Sequence, residues 1–332
     1  MFIASPNTVT LSVSADYDGG NMLIVFPGQG SQRVGMGKDI YENFKVAKAV
    51  FDEVDDAISF NLSKIIFEGD IEELTSTENA QPALMTVSMA LVRVLQTEFG
   101  FDVCDKATFF AGHSLGEYSA LCASKALSLS DTAKILRQRG KAMAEAYPSG
   151  GAMAAILGLD IKVLETIVHK CSTTESSVQI ANDNSSAQIV ISGHEKAVNA
   201  AMEESLKAGA KRAIKLQVSG PFHSCLMESA VEKLREVLST VSFNQNLKPI
   251  IANFTANAEE SYDSELLLKQ ITGRVRWRES MLFAQKHGVT KCVEIGEGRV
   301  LTGLAKKTVP DMATFNINSM DSLKEAGNTF SS

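Results

Sequence analysis

Residues 107–121 read "ATFFAGHSLGEYSAL". An apolar run ends at Gly112, a serine stands between glycines at G-x-S-x-G spacing, and a helix-like stretch follows. Strand, tight turn and helix in that order describe a nucleophile elbow. Small residues at Gly112 and Gly116 let the turn close and lift the Ser114 oxygen out of a sheet. The N–H of the next residue, Leu115, is then aimed at a developing oxyanion. A serine hydroxyl is a poor nucleophile at neutral pH unless a base takes its proton. The elbow therefore calls for a histidine elsewhere in the chain.

Four histidines follow the serine: His169, His194, His223 and His287. His169 and His194 fall in helix-like stretches of a central segment, and His287 sits in the amphipathic "FAQKHG". His223 differs, because "VSGPFHSCLM" places it after a strand, beside a proline-fixed turn and before a helix, a typical perch for a catalytic side chain. A Ser-His-Asp enzyme of this chain order would carry an acid at a strand end between the two. None presents itself, so a dyad is expected, its histidine oriented by a backbone carbonyl.

The remainder of the chain bounds the class. With 332 residues and 45% hydrophobic content it can fill a sizeable core. A net charge of −7 argues against a nucleic-acid binder, which needs a dense positive field. Cys104, Cys122, Cys171, Cys225 and Cys292 are odd in number, widely spaced and form no C-x-x-C pair, which fits reduced thiols and a cytoplasmic protein. Residues 1–32 contain no lysine or arginine, unlike a secretory or mitochondrial leader. No apolar run reaches the roughly 18 to 20 residues of a membrane span. Neither zinc nor another metal is suggested by any ligand spacing.

"MLIVF" (residues 22–26), closed by "PGQGSQ", reads as a buried parallel strand ending in a glycine turn. Residues 1–21 are expected to be a polar tail outside the fold, and a start at Met22 would lose little. From Pro82 to Glu98 the three- and four-residue spacing of Leu84, Val87, Leu91 and Val94 predicts a helix with proline in its first turn and Gly100 beyond its end. Ser130 stands before a second helical stripe that ends at Pro148. Residues 150–218 then read strand, helix, strand, strand, helix, strand, the βαββαβ order of a ferredoxin-like unit. Alternating helices and strands return afterwards, with "PIIANFT" and "KCVEIG" as strand candidates. The expected fold is an α/β body of residues 22–149 and 219–320, with a mostly parallel sheet and an inserted ferredoxin-like subdomain at 150–218.

Ordered along the chain, "FPGQGSQRVGMG", "QPALMTVSMAL", "GHSLGEYSAL", "RQRGKAM", "GPFHSCLM", "VRWRESM" and "VEIGEGRVLTGL" resemble the malonyl-CoA:acyl carrier protein transacylases of fatty-acid synthesis. The resemblance covers roughly residues 22–308 and implies an α/β-hydrolase-like body with a ferredoxin-like subdomain. It implies that Ser114 takes a malonyl group from coenzyme A as an ester, with His223 as base, and passes it to the phosphopantetheine thiol of acyl carrier protein by a ping-pong route. No cofactor is implied beyond these substrates. Gln29 matches the glutamine whose N–H joins that of Leu115 in the oxyanion hole, and Gln270 the one whose main-chain carbonyl orients the histidine. A malonyl carboxylate wants a guanidinium partner. Helical periodicity leaves Arg137 and Arg139 open, whereas the pattern R-G-x-x-M selects Arg139. Phe222 matches a position where phenylalanine goes with malonyl in related domains, its bulk filling the space of an α-methyl group. Asn182, in "ANDNSS", matches an asparagine-containing loop facing the cleft.

A carrier protein is acidic, so an acidic enzyme needs a local basic rim. Candidates are Lys207, Lys211, Arg212 and Lys215 in the subdomain and Arg274, Arg276 and Arg278 in the body. The chain is expected to act as a monomer, without nucleic acid or membrane. Two rivals share these residues: a serine hydrolase or thioesterase that passes the acyl group to water, and a scaffold that keeps the fold without chemistry.

Overall fold

In the computed structural model, which describes residues 21–330, ten strands follow one another along the chain: β1 (Met22–Phe26), β2 (Phe109–Gly112), β3 (Gly151–Leu157), β4 (Val178–Ser185), β5 (Gln188–His194), β6 (Arg212–Lys215), β7 (Ile250–Ile251), β8 (Ala258–Glu259), β9 (Lys291–Ile295) and β10 (Ala313–Ile317). They form two sheets. The larger has the order β10-β9-β1-β2-β7-β8, parallel throughout except for the β7–β8 pair. Its two middle strands, β1 and β2, carry no polar side chain because both faces are covered. Ile24, Phe26 and Phe110 point into one core, and Leu23, Val25, Phe109 and Ala111 into the other.

The smaller sheet is antiparallel, with the order β4-β5-β3-β6, the arrangement that a βαββαβ unit must give when it closes as a ferredoxin-like sandwich. Ala152, Ala154 and Ile156 of β3 join a core with Leu164, Ile167, Val198 and Ala201 of the helices Ile161–Cys171 and Glu195–Lys207. The alternate residues Met153 and Ala155, with Val190 of β5, face the cleft instead. One face of the subdomain thus binds its helices while the other roofs the cleft. The two units are joined by backbone hydrogen bonds between Asp183 N and Val275 O (2.9 Å) and between Val275 N and Ala181 O (2.8 Å). Arg278 adds a two-pronged ion pair with the fully buried Asp183, with Nε and Nη2 at 2.8–3.0 Å from its oxygens.

Several boundaries differ from those read in the sequence. The long helix runs Thr77–Glu98, so Pro82 lies inside it rather than in its first turn. Proline cannot donate to the carbonyl four residues back, and that carbonyl, of Glu78, accepts from Arg137 Nη1 at 3.3 Å. The next helix, Leu129–Ala146, is capped by Ser128, whose hydroxyl accepts from the Asp131 N–H; Ser130 binds Glu53 instead. "PIIANFT" pairs over only two residues, Ile250 and Ile251. The body does not stop at residue 320, because the helix Met320–Phe330 places Leu323 and Ala326 in its core. Residues 1–20 of the expected tail lie outside the described residues.

Candidate active site

Strands β1 and β2 are parallel neighbours with Phe26 opposite Gly112, so the turns that follow them leave the sheet at the same edge. Sites in open α/β sheets form at this carboxyl edge. The turn after β2 is too tight for a side chain at either glycine. A Cβ on Gly112 would lie 1.8 Å from the Gly116 carbonyl oxygen, and one on Gly116 would lie 2.2 Å from the Phe26 oxygen. Ser114 at its apex has φ 54°, in the left-handed region that L-residues avoid. The Ser114 N–H donates to Asn253 Oδ1 at 2.8 Å, which holds the apex open. The helix Gly116–Ala123 begins directly behind it.

His223 Nε2 lies 2.8 Å from Ser114 Oγ, and His223 Nδ1 lies 2.8 Å from the Gln270 carbonyl oxygen. A carbonyl can only accept, so Nδ1 carries the proton and Nε2 presents its lone pair to the serine hydroxyl. A backbone oxygen stands where a Ser-His-Asp triad would have its acid. Burial, and then the charge of Arg139, push the His223 pKa down to about 3, which keeps the ring in its base form at neutral pH.

Arg139 is 1% exposed. Its guanidinium donates to Gln81 Oε1 (2.7 Å), Gln270 Oε1 (2.9 Å) and Ser114 Oγ (3.1 Å), and its Nε has no partner among the described residues. No carboxylate among the described residues makes an ion pair with it. Such a buried cation is strongly predisposed to accept an anion from a ligand. Arg137, by contrast, is occupied by Glu78, by Asn79 and by the Phe60 ring.

These groups line a cavity of about 300 Å³, together with Gln29, Leu115, Asn182, Phe222 and Met143. The backbone N–H groups of Gln29 and Leu115 make no hydrogen bond among the described residues. Asn182 belongs to no loop: residues 181–185 continue β4 as a bulged strand, with register shifts beside Asn182 and Asp183. The expected basic rim is mostly committed elsewhere. Lys207 pairs with Glu204, Lys215 with Glu195, Arg274 with Glu165, Arg276 with Glu279 and Arg278 with Asp183, leaving Lys211 and Arg212 without an ion pair among the described residues.

Sequence reasoning missed four supports. His113, stacked obliquely on Trp277, binds Asn184 Oδ1 through Nε2 at 2.8 Å and so ties the elbow to β4. Gln179 Nε2 donates to the His223 and Thr272 carbonyls, fixing the histidine loop from the subdomain side. Asn253 and Gln81 hold Ser114 and Arg139. His113 stands beside the serine in the elbow itself and was the one recoverable from sequence; the others are scattered polar residues without a local pattern.

A serine elbow, a histidine at hydrogen-bond distance and a preformed cation on an α/β sheet with a ferredoxin-like insert fit an acyltransferase. The acyl transferase domain family matches residues 23–322. The malonyl CoA-acyl carrier protein transacylase of Bacillus subtilis (strain 168) is 47% identical over 305 residues, 91% of this chain and 95% of that protein. An acyl-carrier-protein-S-malonyltransferase structure from Bartonella henselae has a TM-score of 0.88 at 49% identity, covering 92% of this chain and 98% of that one. A malonyl-transacylase solved in complex with its type II PKS acyl-carrier protein also has a TM-score of 0.88, at 38% identity, over 92% of this chain and 99% of that one. The chain belongs to the malonyl CoA-acyl carrier protein transacylase family.

Proposed function

We propose that the protein transfers malonyl groups from coenzyme A to the phosphopantetheine thiol of an acyl carrier protein. The observation that carries this reading is Arg139, a buried guanidinium without an acid partner among the described residues, 3.1 Å from the nucleophile. In the first half-reaction His223 Nε2 takes the Ser114 proton as Oγ attacks the thioester carbonyl. The oxyanion accepts from the Leu115 and Gln29 N–H groups. Collapse breaks the C–S bond, and His223 returns the proton to the departing coenzyme A thiol. The malonyl ester on Ser114 keeps its carboxylate on Arg139, while Phe222 closes the space beside the α-carbon and Asn182 contacts the substrate. In the second half-reaction the carrier thiol gives its proton to His223 and attacks the ester, and Ser114 is regenerated. No step draws on a resident cofactor.

Transfer rather than hydrolysis is supported by the relatives, which are named transacylases, and by the carrier complex of one of them. The five cysteines are all free, which suits a reducing cytoplasm. No helix among the described residues is long and apolar enough to cross a membrane. Intact mass after brief mixing with malonyl-CoA tests the proposal: a malonyl adduct on the wild type and none on Ser114→Ala is expected. A folded wild type that forms no adduct, or that releases malonate to water as fast as to carrier, would sink it.

A further inference from the structure

The helix behind the elbow buries a carboxyl group that the proposed chemistry does not use. Glu117 is completely buried. Three groups from one stretch of the chain, residues 253–270, converge on it: Gln270 Nε2 donates to Oε2 at 2.5 Å, the Asn253 N–H is shared between both oxygens at 3.2 and 3.3 Å, and the Tyr262 hydroxyl makes a close contact with Oε1. Desolvating a carboxyl in a core is costly unless its oxygens are satisfied. Two of these three residues, Gln270 and Asn253, also touch the reacting groups.

Gln270 is the first of them. Its backbone oxygen accepts from His223 Nδ1, its Oε1 accepts from Arg139, and its Nε2 also donates to the Ser114 carbonyl at 3.0 Å. An amide has a donor end and an acceptor end, and only one orientation turns the oxygen toward Arg139. An acceptor at position 117 selects that orientation. Asn253 is the second: its Oδ1 receives the Ser114 N–H and its Nδ2 donates to the Gly112 carbonyl at 2.7 Å. The backbone N–H of the same residue is anchored by Glu117.

We propose that Glu117 is a positioning residue, which locks Gln270 and Asn253 to the elbow helix and so fixes His223, Arg139 and the strained Ser114 turn relative to one another. The proposal rests on the malonyl-transfer reading of this site. Burial raises the Glu117 pKa to about 8, opposed by the Gln270 and Asn253 donors and the Arg139 charge. Either protonation state fits the cage, because Tyr262 Oη can donate to the carboxylate or accept from the acid.

The test compares wild type, Glu117→Leu, Glu117→Gln and Tyr262→Phe by single-turnover acylation of Ser114 with malonyl-CoA, the KM for malonyl-CoA and thermal melting. Leucine has a similar size and no acceptor, so acylation should fall at least about tenfold through misplacement of the reacting groups. Arg139 keeps its Gln81 bond, so KM should stay within about threefold. Glutamine should restore most of the rate, since its oxygen accepts from Gln270 and Asn253 while its amide donates to Tyr262. A folded leucine variant with unchanged kcat, or equal losses with leucine and glutamine, would overturn the proposal. If leucine prevents folding, Tyr262→Phe decides: a loss of about threefold in kcat at unchanged KM supports positioning, and an unchanged kcat refutes it. Absence of acylation in the wild type would instead remove the functional reading on which the proposal rests.

Discussion

Ser114 Oγ and His223 Nε2 lie 2.8 Å apart across 109 residues of sequence, and both residues hold positive φ, 54° and 55°. Each such conformation costs roughly 1 to 3 kcal/mol, and persists only where its surroundings over-determine it. Asn253 and the two elbow glycines do so for Ser114; Gln179, Gln270 and the Pro221–Ser224 hydrogen bond do so for His223. Both residues that the proposed reaction pairs for proton transfer thus hold strained backbone.

The first prediction concerns pH. With its pKa lowered to about 3, His223 remains a free base far below the usual histidine range. The rate of Ser114 acylation should therefore stay level from pH 8 to about pH 5, with no inflection near 6.5. Stability follows the same group. The unfolded histidine takes up a proton near pH 6.5 and the folded one only near 3, so its contribution is complete above 6.5 and is lost as pH falls toward 3. His223→Gln should flatten that acid loss in thermal melts. An acylation midpoint near 6.5 would show that the ring is not desolvated as described.

Arg139→Ala should separate recognition from chemistry. Removing charge-assisted hydrogen bonds to a substrate carboxylate costs about 2 to 3 kcal/mol, or roughly 30- to 150-fold in kcat/KM for malonyl-CoA. Acetyl-CoA has no carboxylate to lose, and burying its methyl beside an unpaired cation is unfavourable, so its acylation should be unchanged or faster. Competition between the two thioesters, read as adduct mass, checks this; a parallel fall for both would place Arg139 in the support of Ser114 alone.

The sequence disclosed the elbow because its determinants are local: Gly112 and Gly116 touch each other and β1, and their spacing is visible in five residues. Strands β1 and β2 were legible for the same kind of reason, as unbroken apolar runs that only a two-sided sheet can bury, whereas β8 and β10 carried no such run and were not read. Arg139 was different. On a helical wheel it flanks the stripe as Arg137 does, and only the family resemblance separated a fully buried guanidinium from one that props up the carbonyl freed by Pro82. Glu117, Asn253 and Gln179 were invisible, because the contacts that matter lie far off in sequence, 44 residues from Gln179 to His223 and 136 and 153 from Glu117 to Asn253 and Gln270. Helix starts failed where a proline suggested a first turn but lay inside the helix, as at Pro82, or where two serines offered the same hydroxyl two residues apart, as at Ser128 and Ser130.

Arg278→Ala tests the joint between body and subdomain. Asp183 is completely buried, and the two-pronged guanidinium is its only ion pair among the described residues. Leaving a buried carboxylate unpaired costs about 3 kcal/mol or more. The variant should melt well below the wild type, and its β4 should exchange amide protons faster where Asn182 and Asp183 bridge to Val275. Unchanged melting would mean that solvent reaches Asp183 readily.

The last prediction concerns the carrier. Five of the seven basic residues considered for docking are neutralised by neighbours, which leaves Lys211 and Arg212 at the start of β6 as exposed charge without ion-pair partners among the described residues. The chain that leaves β6 supplies Leu216, Gln217 and Val218 to the cleft, so this charge sits on the strand that leads to its mouth. An acidic carrier would be steered there, and steering acts on encounter rather than on chemistry. Lys211→Glu with Arg212→Glu should lower kcat/KM for the carrier about tenfold at low salt, with the gap narrowing as salt screens the wild type. Acylation by malonyl-CoA in the absence of carrier should not change. Equal losses in both half-reactions would mean that the substitutions disturb the cleft, and a carrier rate untouched at low salt would place docking on another face.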